Sequence, residues 1–140
     1  MTSFGAIYVA VASTSVRARV TVAILAVSEG KRKVVVEVTP EEMTVNCAVA
    51  WGLKRALERL GDRRATLHTN LKAVVDLATT IVEHGAVESG EPFYRAVAEV
   101  VQLCQRTGST LAWVRSAEEP MLTLRDRAAW ELQQRERAAS

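Results

Sequence analysis

VVVEVTPEEMTVNCAVAWGLKRALERLGDRRATLHT, residues 34–69, changes its hydrophobic period twice. Val34-Val35-Val36-Glu37-Val38 is rich in β-branched residues and reads as a strand. From Thr39 the spacing turns helical. Thr39 can cap, Pro40 suits the first helical position, and Glu42 completes a capping box. Ala50, Leu53, Leu57 and Leu60 then mark one helical face, and Gly61 ends it. Ala65 to Thr69 returns to a strand. A strand placed after a helix in this way reads as a parallel crossover back into the same sheet.

The residues before this unit are also β. Ile7, Val9 and Val11 alternate with Tyr8, Ala10 and Ala12, which is a strand period. Ser13-Thr14-Ser15 interrupts it and reads as a turn rather than a nucleophile, since no base pairs with the hydroxyls. A second β-rich run extends from Arg17 to Val27, and Ser28-Glu29-Gly30-Lys31 is a turn signal. Short connections make the first three strands an antiparallel meander.

Beyond Thr69, a helix carries Leu71, Val74, Val75, Ala78, Ile81 and Val82 and stops at His84-Gly85. Glu88 to Glu91 is a polar loop. A third helix carries Phe93, Ala96, Val97, Val100, Val101 and Cys104 and ends near Gly108. Thr110 to Val114 is a fifth strand, and Ser116 to Pro120 a loop. A final helix starts about Leu122 and passes into a charged stretch, where order is expected to fade over 133–140. The order β-β-β-α-β-α-α-β-α predicts one α/β domain over residues 1–140: a mixed five-stranded sheet with helices on both faces.

Composition narrows the function classes. With 18 Lys+Arg against 16 Asp+Glu, the net charge of +2 is too weak to argue for a nucleic-acid partner by itself. No apolar run reaches the roughly 20 residues that span a bilayer, so no membrane role is expected. The start, Met1-Thr2-Ser3-Phe4, lacks the features of a signal peptide. Cys47 and Cys104 have no metal-ligand spacing and read as buried free thiols in a reducing compartment, cytoplasmic or nuclear. The glycines do not form a phosphate-binding fingerprint.

Several local sequences, taken in order, resemble the ribonuclease H-like superfamily over nearly the whole chain. Ile7-Tyr8-Val9 looks like the opening of its first strand, and Asn46 to Leu57 like its first helix. Leu67-His68-Thr69-Asn70-Leu71-Lys72-Ala73-Val74-Val75 resembles its fourth-strand end, Leu111 to Val114 its last strand, and Asp126-Arg127-Ala128-Ala129 the start of its final helix. The resemblance implies cleavage of the RNA strand of an RNA–DNA hybrid with two magnesium ions. Two such ions repel each other, so several carboxylates must neutralise them.

Carried across position by position, the first-strand aspartate falls on Ala10 and the first-helix glutamate on Val49, or on Ala48 with a one-residue slip. The fourth-strand aspartate falls on Asn70, and only Asp126 keeps a carboxylate. A histidine often found before the last helix has no counterpart in Arg115 to Pro120. One acid and one amide cannot balance two dications, so the expectation is a catalytically inactive domain without a metal or other cofactor. It would serve as a structural or binding module, as do degenerate copies beside polymerase domains in reverse-transcribing elements. Its partner would be a hybrid or other duplex, a partner protein, or a second copy of itself. An active nuclease with a displaced magnesium site is one alternative, drawing on acids such as Glu37, Asp76 or Glu119. A purely protein-interacting or homo-oligomerising domain is another.

The resemblance places Lys54, Arg55, Arg59 and Lys72 near the substrate groove as candidate phosphate contacts, with a solvated helix face as the competing reading. Lys31, Arg32, Lys33, Arg63 and Arg64 are further cations. His68 reads as a packed, hydrogen-bonded core histidine, His84 as a helix-end residue, and Trp51, Trp113 and Trp130 as packing residues.

Overall fold

The computed structural model describes residues 4–15 and 18–139. The elements are β1 (Phe4–Ala12), β2 (Thr21–Ser28), β3 (Lys31–Val38), α1 (Val45–Leu60), β4 (Arg64–Thr69), α2 (Lys72–His84), α3 (Pro92–Thr107), β5 (Thr110–Trp113) and α4 (Met121–Ala139). This is the order read from the sequence. The sheet runs β3-β2-β1-β4-β5. β1, β2 and β3 are antiparallel neighbours, while β4 pairs parallel with both β1 and β5.

Alternation along β1 divides the molecule into two cores. Ile7 and Val9 face a large cluster with Leu53, Leu57, Val74, Ile81, Val97 and Val100, so α1, α2 and α3 cover one face. Ala10, with Ala23 and Leu25 of β2, faces a smaller cluster with Met121, Leu124 and Ala128 of α4 on the other. A close approach seats α1 on the sheet. A Cβ added at Gly52 would stand 2.8 Å from a Cγ of Val9 and of Val22.

Several boundaries differ from the sequence reading. The first helix starts at Val45, not at Thr39-Pro40. Thr39 is buried, its N–H donates to the Val20 carbonyl at 3.0 Å, and its Oγ1 accepts from the Val20 N–H at 2.9 Å. Met43 donates to the Ala18 carbonyl at 3.0 Å. Residues 39–43 thus continue to pair beside the strand segment, and Thr44 is the true cap, its Oγ1 accepting from the Cys47 N–H at 3.2 Å. The second strand opens at Thr21, although Ala18 bridges Met43 and residue 17 lies outside the described residues.

The third strand opens at Lys31, three residues before the β-branched run Val34 to Val38. The turn is only Glu29-Gly30, at φ 52° and 77°. Two left-handed residues match the twist of a tight hairpin, so pairing resumes at once, Ser28 against Lys31. The last helix begins at Met121 and continues through residues 133–139, where order was expected to fade.

Candidate functional site

β1 and β4 run side by side, with Val9 opposite Thr69 as the last parallel pair. Ala10 and Asn70 follow directly, so the sheet brings these two predicted positions to neighbouring strand ends. Ala10 is only 1% exposed and looks into the apolar seam beneath α4.

Asn70 is tied to the loop after β5. Its side-chain amide donates to the Ser116 hydroxyl at 3.0 Å, and its carbonyl accepts from the Trp113 indole N–H at 3.2 Å. Arg125 of α4 donates to the Ser116 carbonyl at 3.4 Å. The loop therefore links the end of β4 to the last helix. Ser116 and Trp113 were not identified as partners of Asn70 from sequence; no local pattern pairs residues some 45 positions apart.

The other two positions do not join this cluster. Val49 is buried under α1 in the large core, on the opposite face of the sheet from Ala10, and its alternate Ala48 is buried there as well. Asp126 is exposed on α4. Met121, Leu124 and Ala128 define the face that packs on the sheet, and at about 100° per residue Asp126 lies roughly 160–170° round the helix from it. The one retained carboxylate points away from Ala10.

These residues do not fit a two-magnesium centre. Two positions are buried apolar side chains, the amide is already hydrogen-bonded, and the acid turns outward. Nor do the other acids considered from the sequence gather here. Glu37 accepts from Arg55 at 2.8 Å and lies 3.3 Å from Arg59. Glu119 accepts from the Thr123 hydroxyl at 2.6 Å, and Asp76 is exposed on α2. Among the described residues no three His, Cys, Asp or Glu side chains converge as a metal group would require.

The predicted basic contacts are mostly engaged. Lys54 pairs with Glu99 at 2.9 Å, and Arg55 and Arg59 share Glu37. The hydrogen bond from Arg55 pulls the Glu37 carboxyl below its usual range, against the opposing effect of partial burial. Lys54 is shifted upward by its bond to Glu99. Lys72 is exposed at the start of α2.

Other expectations need correction. His68 is not hydrogen-bonded at Nδ1, which is buried without a partner among the described residues. Its ring instead stacks on Tyr8, centroids 4.4 Å apart, and burial lowers its pKa. Trp113 and Trp130 are about half exposed, and Trp130 carries the Arg127 guanidinium 6.0 Å from its ring centre. Trp51 is half-buried with Arg55 at the same distance. Cys104 is buried and its thiol pushed up to about 11 by that burial, whereas Cys47 is only half-buried.

No family model and no curated protein matches this chain. Solved structures do. RNase H1 from the halophilic archaeon Halobacterium salinarum superimposes with a TM-score of 0.69 at 20% identity, over 91% of this chain and 98% of that one. The N-terminal RNase H domain of a Mycobacterium tuberculosis protein gives 0.68 at 15% identity, over 93% and 99%. LC11-RNase H1, solved with an RNA/DNA hybrid, gives 0.67 at 16% identity, over 92% and 99%. At these identities the likeness is one of fold, and the fold is ribonuclease H-like.

Proposed function

We propose that this chain is a non-catalytic ribonuclease H-like domain that acts by binding, with a nucleic-acid duplex as its partner. One observation carries the loss of catalysis: where two dications would need clustered negative charge, Ala10 is sealed against Met121, Leu124 and Ala128, and Asp126 faces away. A divalent pair needs several oxygen ligands from carboxylates. This strand end supplies one neutral amide. The duplex partner is supported by the hybrid bound to the similarly folded LC11-RNase H1 and by cations that the protein leaves without acid partners. Its two free thiols suit a reducing compartment, cytoplasmic or nuclear.

The test is incubation with an end-labelled RNA–DNA hybrid in magnesium and in manganese. No cleavage above the metal-free control is expected. Divalent-dependent cleavage that Asp126→Asn abolishes would refute the reading and restore the nuclease.

A second reading, a domain that binds only protein, is favoured by one feature. A hollow of about 500 Å³ between α2, α3 and β5 is lined by Val75, Val82, Val101, Cys104 and Leu111, and Val82 is 59% exposed. That reading predicts a stable oligomer by light scattering and no salt-dependent duplex binding.

A further inference from the structure

We infer that the β2–β3 hairpin, and not the altered strand end, is the surface that binds the phosphodiester backbone of a duplex. The inference rests on the binding role proposed above and names the face that performs it. The tight Glu29-Gly30 turn starts β3 at Lys31, which places Lys31, Arg32 and Lys33 in the strand, paired opposite Ser28, Val27 and Ala26. Arg63, from the α1–β4 connection, joins them. All four line one concave surface of about 560 Å³, whose only acid among the described lining residues is Glu29. A neighbouring hollow of about 230 Å³ shares Lys33 and Arg63 but is lined mainly by apolar side chains, Ile24, Val35 and Leu60 among them, and is not part of the charged surface.

Freedom from acids separates this group from the α1 cations, and its gathering in one hollow separates it from dispersed exposed cations such as Arg95 and Arg106. Lys54, Arg55 and Arg59 each have a carboxylate within 3.3 Å. Lys31, Arg32, Lys33 and Arg63 are exposed, and no described acid pairs with them; Arg63 donates only to the Leu60 carbonyl, at 3.2 Å. Like charges gathered in one hollow repel, and an anion threading between them relieves that repulsion.

Lysines on an edge strand also discourage strand-to-strand aggregation. That role needs no contribution from Arg63, which belongs to another element. The lining includes a single apolar side chain, Ala26. An inserting membrane surface or an anchored acidic peptide would call for apolar contacts, whereas a phosphate backbone needs only cations and donors. The surface lies at the end of the sheet where β1 and β4 begin. Along β1 its nearest lining position, Ala26 opposite Ile7, lies three residues from Ala10, roughly 10 Å. Binding there is independent of the lost metal pocket.

The experiment measures binding of 20-base-pair RNA–DNA and DNA duplexes in EDTA at several salt concentrations. Two variants of equal charge change are compared, K31Q/K33Q on the hairpin and R95Q/R106Q on exposed positions of α3. Each phosphate contact contributes about 0.9 to the slope of log K against log salt. K31Q/K33Q is expected to lower the slope by about 2 and weaken low-salt binding at least about tenfold, for both duplexes. R95Q/R106Q is expected to leave the slope as it was. Equal losses in both variants, no duplex binding at low salt, or tighter hairpin-dependent binding to polyglutamate or phosphatidylserine vesicles would each overturn the inference. A hybrid cut in magnesium would instead defeat the non-catalytic reading and leave the salt slopes to be judged separately. Circular dichroism confirms that each variant is folded.

Discussion

Glu37 is where side-chain chemistry holds β3 to α1. Its carboxylate meets Arg55 at 2.8 Å and Arg59 at 3.3 Å and is mostly screened from water. Glu37→Gln is expected to cost about 1 kcal/mol at neutral pH, since a partly buried acid serving two guanidiniums exceeds an isolated surface pair. The folded pKa is lowered, so this stability is complete above the ordinary glutamate pKa and disappears as pH falls through the folded value. Urea melts at pH 7 and pH 3 should show a gap between the proteins at the first that narrows at the second.

His68 responds to acid for a different reason. Burial disfavours its charged form, and its Nδ1 has no partner to offset that. A base with a lowered folded pKa supports the fold fully above its unfolded pKa, about 6.5, and loses that support as pH drops below it. His68→Phe keeps a ring against Tyr8 and removes the titration. Between pH 7 and pH 5 its melting temperature is expected to fall less than that of the unaltered protein, by differential scanning calorimetry.

Among the elements, α1 tests how far local signals reach. Thr39-Pro40-Glu41-Glu42 satisfies the rules for a helix start, yet the backbone donors of Thr39 and Met43 are taken by residues 20 and 18. Thr44→Ala should therefore cost about 1 kcal/mol, the worth of a side-chain cap, whereas Glu42→Ala should change stability by less than about 0.5 kcal/mol. Chemical denaturation distinguishes them, and a larger loss at Glu42 would restore the earlier boundary.

Gly52 carries the other element-scale test. Alanine normally improves a helix interior by roughly 0.5–1 kcal/mol over glycine. Here the added Cβ meets core methyls of Val9 and Val22 at 2.8 Å. Overpacking of that kind costs about 1–3 kcal/mol, so Gly52→Ala is expected to destabilise despite its better propensity.

These cases also mark what the sequence discloses. Strand and helix identity was legible throughout, because burial on one face imposes a period of 2 or 3.6. That Ala10 and Val49 carry no ligand atoms was equally plain. Partnerships across the chain were not: Lys54 meets Glu99, 45 residues away, and no local pattern reveals that its charge is spent. The outward turn of Asp126 was within reach, since Met121, Leu124 and Ala128 already define the opposite face of α4.

For the molecule as a whole, the question is whether replacing residues could build a two-metal site on this fold. Both faces of the sheet are now committed to apolar packing. Ala10→Asp would place a carboxylate at a site 1% exposed among Ala23, Leu25, Met121, Leu124 and Ala128. An uncompensated buried charge costs about 3–5 kcal/mol. Because burial would raise the new acid's folded pKa, the penalty is smallest below its unfolded pKa near 3.9 and grows as pH rises. Ala10→Asp should thus be less destabilised at pH 4 than at pH 8, and Ala10→Asn should lack that pH dependence. Adding Val49→Glu and Asn70→Asp does not complete a site. Val49 faces the large core beneath α1, and Asp126 remains on the solvent side of α4. The triple variant A10D/V49E/N70D is expected to leave a labelled RNA–DNA hybrid uncut in magnesium at temperatures where circular dichroism shows it folded. Recovered cleavage would mean that α1 and α4 can rotate their faces toward the strand ends at little cost. The packing of Leu53 and Leu57 on one face and Met121 and Leu124 on the other, all at most 2% exposed, opposes that.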